Sequence, residues 1–184
     1  ISAPELSFYP ITFSQYAIWL ASLQSEKSIA YNMFAAYEID GEIDTGILET
    51  AFNEIINKHE ILRTNFVEVD GKPCQKIQKS SEVSFTIDTF QTNSKNDLRD
   101  YANKEFNLEA ALLLRVGIFK DDDAKDTLVF VTHHIIMDGW SLEVLITEVK
   151  NWYIALQNSQ YVAEKKLTIQ FKDYAIWQNE IETK

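Results

Sequence analysis

The chain has 184 residues, 46% of them hydrophobic, with 28 acidic residues against 17 basic ones and a net charge of −11. That length fits one domain, or one lobe of a larger one, with apolar material for a sizeable core. The acidic balance lacks the basic footprint that nucleic-acid binding requires, and neither a bilayer-spanning apolar run nor a signal pattern is present, so neither nucleic acid nor membrane is an expected partner. The single cysteine, Cys74, rules out an internal disulfide and suits a reducing cytoplasm. The chain begins with Ile1 rather than methionine, which suggests excision from something longer.

Ile1 to Pro10 reads as extended, and Phe13 to Leu23 as a first helix carrying Ile18, Trp19, Leu20 and Leu23. Asn32 to Ile39 alternates loosely and is rich in aromatic residues, so a strand is expected. Asp44 is a good N-cap for a helix to Lys58, along which Ile47, Leu48, Ala51, Phe52, Ile55 and Ile56 form an apolar stripe. Ile61 to Val69 reads as a strand, Asp70-Gly71 as a hairpin turn, and Cys74 to Gln78 as the returning strand. Val83 to Ile87 is a candidate short strand. Ser94 with Asp97 resembles a capping box for a helix to about Glu105.

Leu112 to Phe119 is a predicted strand, Asp121-Asp122-Asp123 a solvated turn, and Thr127 to Val131 the next strand. Ser141 is the expected cap of a long helix through Leu156. Asn158 to Lys166 is a polar connector, and Gln170 to Ile181 a last helix. One hairpin and mixed elements point to α+β architecture, with helices packed against one face of a mixed sheet.

The run His133-His134-Ile135-Ile136-Met137-Asp138-Gly139-Trp140-Ser141 follows a strand and precedes a helix, a common position for chemistry. Adjacent strand residues point to opposite faces, so His133 and His134 do not readily share a metal ion, and no metal is expected. Two buried, hydrogen-bonded histidines are the bland reading. An imidazole suits proton transfer near neutral pH, Asp138 is close enough to hold the loop, and Gly139 supplies a turn. No GxSxG elbow offers a protein nucleophile, and nothing marks Cys74 as a thiolate. A histidine alone suits direct acyl transfer between two bound substrates.

The chain resembles the condensation domains of nonribosomal peptide synthetases. The family's HHxxxDGWS signature stands at His133 to Ser141. Its RHExLRTxF motif stands at Lys58-His59-Glu60-Ile61-Leu62-Arg63-Thr64-Asn65-Phe66, with lysine first. The SxxQxRxW motif is represented by Thr12 to Trp19, with Ala17 in place of arginine. Phe106-Asn107-Leu108 through Leu113-Leu114-Arg115-Val116 resembles the family's F-D-L…P-L-L-R-V entry, with Ala110-Ala111 replacing Gly-Pro. Phe171 to Gln178 resembles YxDYAxWQ.

The resemblance implies a chloramphenicol acetyltransferase-like lobe over 1–184, with a second lobe forming the other wall of a tunnel. It implies His134 as the catalytic residue, a base toward the acceptor amine or a positioning group. It implies His133 as a buried support, Gly139 as a point of close backbone approach, and an Asp138–Arg63 ion pair pinning the loop. His59 and Glu60 close a helix, where capping or packing is the expected role. The substrates implied are an aminoacyl or peptidyl thioester donor and an aminoacyl thioester acceptor, on the phosphopantetheine arms of partner carrier proteins. No permanently bound cofactor is implied.

Epimerisation domains share HHxxxDG but differ after it, cyclisation domains carry aspartate in place of the histidines, and ester-forming HxxxDG acyltransferases account less well for Lys58 to Phe66. A non-catalytic module that binds carrier proteins or a partner enzyme is the rival of a different class. A lobe without its mate is expected to lack turnover, and its open apolar face would favour self-association.

Overall fold

Local signals set most of the elements. In the computed structural model, residues 3–23, 29–91, 94–110, 112–121, 125–160 and 166–182 are described. A short strand β1 (Tyr9–Pro10) leads into helix α1 (Phe13–Ser22). Thr12 opens α1 through a capping box: its hydroxyl accepts from the Gln15 N–H, and the Gln15 side chain accepts from the Thr12 N–H, at 3.2 and 3.0 Å. Strand β2 (Asn32–Glu38) follows, then helix α2 (Thr45–Lys58), capped by Asp44, whose carboxylate accepts from the Ile47 N–H at 3.0 Å.

Strands β3 (Thr64–Val69) and β4 (Lys72–Ile77) form the predicted hairpin. Asp70 and Gly71 both take positive φ, 50° and 74°, as a two-residue type I′ turn demands. The strand expected from Ile61 begins only at Thr64, because Glu60–Arg63 coil into a 3₁₀ turn. Val83–Ile87 is not a strand; the ladder is made by β5 (Asp88–Gln91) instead. Helix α3 (Lys95–Ala102) is capped by Ser94 and ends before the predicted Glu105. Strands β6 (Leu114–Lys120) and β7 (Thr127–His133) then pair antiparallel. Helix α4 (Gly139–Gln157) and helix α5 (Phe171–Glu182) complete the order. Two expected loops, Asp121 to Asp123 and Asn158 to Lys166, lie partly outside the described residues.

The architecture is α+β, with two sheets rather than the single one expected. One has three antiparallel strands in the order β1-β4-β3. The other has four in the order β2-β7-β6-β5, mixed because β5 runs parallel to β6. Nor do the helices share one face. On one side, Leu114, Val116, Ile118 and Phe130 meet Phe52, Ile55 and Ile56 of α2 and Leu145 and Val149 of α4 in the main core. On the other, Phe119, Val129 and Val131 meet Tyr101 and Ala102 of α3. A parallel strand pair needs a crossover, and α3 supplies it between β5 and β6 on the far face. Strand alternation feeds both cores at once.

Two contacts test this packing. Phe52 is fully buried, with ring centroids 4.8 Å from Phe85 and 5.8 Å from Phe130. Gly117 leaves room for the Tyr101 ring, since a Cβ there would meet ring atoms at 3.1 and 3.2 Å. Phe52→Ala is expected to lower the unfolding free energy by about 3–5 kcal/mol. Gly117→Ala is expected to lower it by about 1–3 kcal/mol through overpacking. Urea titration checks both, and a loss below about 1 kcal/mol for Phe52→Ala would contradict the core described.

Candidate active site

Strand β7 ends by separating its two histidines. His133 continues the ladder, paired with Asn32 of β2, and its N–H donates to the Leu113 carbonyl at 3.0 Å. Its side chain points inward and is 2% exposed, between the rings of Tyr31 and Phe106. Its Nδ1 accepts from the Ile135 N–H at 3.3 Å, which requires that nitrogen to be unprotonated. Burial, with the neighbouring His134 second, pushes its pKa from 6.5 down to about 4. His133 is therefore a buried imidazole held neutral at physiological pH.

His134 falls on the opposite face and is exposed. Its backbone N–H donates to the Tyr31 carbonyl at 2.8 Å, and its side chain lines a cleft of about 490 Å³. The turn that carries it is anchored by burial of Ile135, Ile136 and Met137, all under 8% exposed. The other walls are Gln15 and Ile18 of α1, Leu62 of the 3₁₀ turn, Val144 of α4, and Tyr174 of α5.

Gln15 is a residue that the sequence reading passed over as a site member. It is 3% exposed, and its side-chain N–H donates to the Ile135 carbonyl at 3.2 Å. Its oxygen is already occupied by the Thr12 N–H, so one amide both starts α1 and ties it to the histidine turn. The Thr12-x-x-Gln15 spacing is a capping-box signal and could have marked the position. The bond to Ile135 could not be foreseen, because it joins residues 120 apart.

The expected Asp138–Arg63 ion pair does not form. Asp138 is the N-cap of α4, its carboxylate accepting from the Ser141 N–H at 2.8 Å. Ser141, the expected cap, is thus the donor to it. Hydrogen bonds from Ser141 hold the Asp138 carboxyl below the usual carboxylate range. Arg63 donates instead to the Gln78 carbonyl and lies 3.8 Å from Glu60, which also binds Lys172 at 2.8 Å. Burial lowers its pKa against the pull of Glu60. Arg63 does not line the cleft; it bonds the chain just after the hairpin, and Glu60 beside it reaches α5 through Lys172. A local backbone donor three residues away suits Asp138 better than a guanidinium already occupied elsewhere.

Gly139 needs no special backbone conformation, because it is the first residue of α4 and its φ is not positive. A Cβ there would meet nothing within 4 Å, so its backbone faces open space beside the cleft. His59 closes α2, as expected, but it also lines the same cleft and lies 2.7 Å from Glu148 of α4. Among the described residues no group of three or more His, Cys, Asp or Glu side chains could hold a metal ion, and no helix is long and apolar enough to cross a membrane.

The arrangement defines a sheet-supported cleft with the exposed His134 at its wall, and the fold that carries it is shared with solved structures. The X-domain from teicoplanin biosynthesis superposes with a TM-score of 0.85 at 23% identity, over 99% of this chain and 40% of that one. The starter condensation domain of rhizomide synthetase RzmA gives 0.83 at 21% identity, over 97% of this chain and 45% of that one. The Condensation domain family model matches residues 5–184, and the chain belongs to that family. Gramicidin S synthase 2 of Brevibacillus brevis is 34% identical over 173 residues, 94% of this chain and 4% of that protein. Bacitracin synthase 2 of Bacillus licheniformis is 35% identical over 182 residues, 98% of this chain and 7% of that protein. The chain thus spans less than a tenth of these relatives and less than half of the solved domains.

Two expectations follow from the geometry. The unfolded chain takes up a proton at His133 near pH 6.5, while the folded chain resists it until about 4. Stability should therefore fall as pH drops through that window, by up to ~1.4 kcal/mol per unit. Denaturant titrations across pH check this, and His133→Gln should flatten that part of the profile. Asp138→Ala should cost about 0.5–2 kcal/mol, and Asp138→Asn much less, because asparagine also caps. Equal losses in the two variants would point to a charge interaction rather than a cap.

Proposed function

We propose that this chain is the histidine-bearing, N-terminal lobe of a condensation domain that forms a peptide bond between two carrier-bound thioesters. The observation that carries the reading is the division of labour in the histidine pair, with His133 buried and neutral and His134 exposed on the cleft wall. Membership of the condensation family and likeness to peptide synthetases support it. The donor would be an aminoacyl or peptidyl thioester, and the acceptor an aminoacyl thioester, each on a phosphopantetheine arm.

In this scheme the acceptor amine attacks the donor carbonyl. A C–N bond forms, the C–S bond breaks, and the amine proton passes by way of His134 to the leaving thiolate. His134 acts as general base or holds the amine in line. General-base help is worth roughly two to four orders of magnitude. Alignment of two tethered reactants is worth ~7–11 kcal/mol, so positioning is the larger share. In this reading the Gly139 N–H donates to the thioester oxygen, and the open space beside that residue supports close approach of a substrate. Asp138 supports the site by starting α4 beneath the histidine turn.

The cleft is lined by exposed residues with large apolar surface, among them Trp140, Val144 and Tyr174 at 79%, 43% and 44% exposure. Apolar surface of this kind calls for a cover, which the second lobe of the domain would provide. Residues 1–184 alone should accordingly show no condensation in an aminoacyl-carrier assay, whereas the full-length protein should. In the full-length protein His134→Ala should lower turnover by about two to four orders of magnitude with unfolding unchanged. Undiminished turnover in that variant would remove His134 from the mechanism.

A further inference from the structure

His59 is the only other histidine of the chain, and closing α2 requires nothing of its ring. The cap is made by its backbone N–H, which donates to the Ile55 carbonyl at 2.9 Å. The ring is held separately. Its Nε2 lies 2.7 Å from Oε2 of Glu148, and Lys58 Nζ takes the other carboxylate oxygen at 2.6 Å. These hydrogen bonds overcome the effect of burial and keep the Glu148 carboxyl below its ordinary range. A carboxylate that grips one ring nitrogen fixes both the plane and the tautomer of an imidazole. In the neutral ring, an Nε2–H given to Glu148 leaves the lone pair on Nδ1.

That second nitrogen has no partner among the described residues, and it is not among the buried polar atoms shut away without one. His59 lines the cleft that His134 lines, where its neighbours Ile61, Leu62 and Val144 are apolar. An oriented acceptor on an apolar wall is how binding sites fix the direction of a ligand.

Building on the condensation reading above, we infer that His59 is a positioning residue of this cleft, whose Nδ1 accepts an N–H of the acceptor substrate. The N–H belongs either to the α-amine or to an amide of the pantetheine arm. Glu148 is the residue that aims it.

Two variants of the full-length protein separate this role from a packing role. His59→Gln keeps a group that reaches Glu148 but leaves no acceptor at the Nδ1 position. His59→Asn keeps an oxygen near that position but cannot reach Glu148. Affinity for pantetheine and for an alanyl-pantetheine thioether is measured by calorimetry, with acceptor KM and kcat in the condensation assay. His59→Gln is expected to weaken binding and raise KM about tenfold with kcat little changed, the size of one lost hydrogen bond. His59→Asn is expected to recover most of that loss. Weakening with both probes assigns the bond to the arm amide, and weakening with the alanyl probe alone assigns it to the amine.

Wild-type affinity for both probes in His59→Gln overturns the inference. So does a loss that follows the Glu148 contact, with His59→Asn worse than His59→Gln in step with thermal stability. If His59→Gln does not fold, the ¹⁵N resonance of His59 Nδ1 in the wild type decides: it moves on adding alanyl-pantetheine if the inference holds, and stays still if it fails. His134→Ala assayed in parallel keeps the two readings apart. Full activity there removes His134 from the proposed mechanism, whereas loss there beside a wild-type His59→Gln removes only this inference.

Discussion

The cleft depends on the burial of Ile135, Ile136 and Met137 in the turn after β7. Each such side chain contributes roughly 1.5–3 kcal/mol when removed from water, enough to hold a turn that lacks regular structure. With those three side chains inward, the backbone of the turn is forced outward at His134. The turn has polar anchors as well. Gln15 holds the Ile135 carbonyl, the Tyr31 carbonyl takes the His134 N–H, and the Leu113 carbonyl takes the His133 N–H. Elements distant in sequence thus converge on His133, His134 and Ile135, so a side chain with rotatable bonds still presents itself at a defined place.

Electrostatics around the site follow from what each charge can reach. In a chain of net charge −11, the carboxylates near the cleft are taken up by donors close at hand. Asp138 caps a helix, Glu148 binds Lys58 and His59, and Glu60 binds Lys172 beside Arg63. Partly buried carboxylates without such donors would be costly. The same economy explains why His133 is neutral. Burial first, and the neighbouring His134 second, disfavour a charged ring.

The fold is a scaffold that other members of the family share at low identity, so its function rests on the site rather than on the topology. The polar groups of the cleft lie on the β7 turn, the starts of α1 and α4 and the end of α2, beside the exposed Trp140, Val144 and Tyr174.

Much of this was legible in the sequence, for reasons that are local. Strand alternation requires His133 and His134 to face opposite ways, whatever surrounds them. Asp70-Gly71 demands a tight hairpin, and the α2 stripe and its Asp44 cap depend only on neighbours within a few residues. What failed was the choice of partners across space. A charge-complementary pair, Asp138 with Arg63, was expected, yet Asp138 bonds Ser141 three residues on and Arg63 turns to Gln78. A local donor costs no loop closure, so it wins unless the fold forces otherwise. The placing of α3 on the far face, the coiling of Glu60–Arg63, the grip of Gln15 on a carbonyl 120 residues away and the meeting of His59 with Glu148 are all tertiary. The chain by itself determined its periodicities, its turns and the opposite facing of its two adjacent histidines; only packing decided which of them is outward and which groups would meet, because that depends on distances between elements that no local pattern encodes.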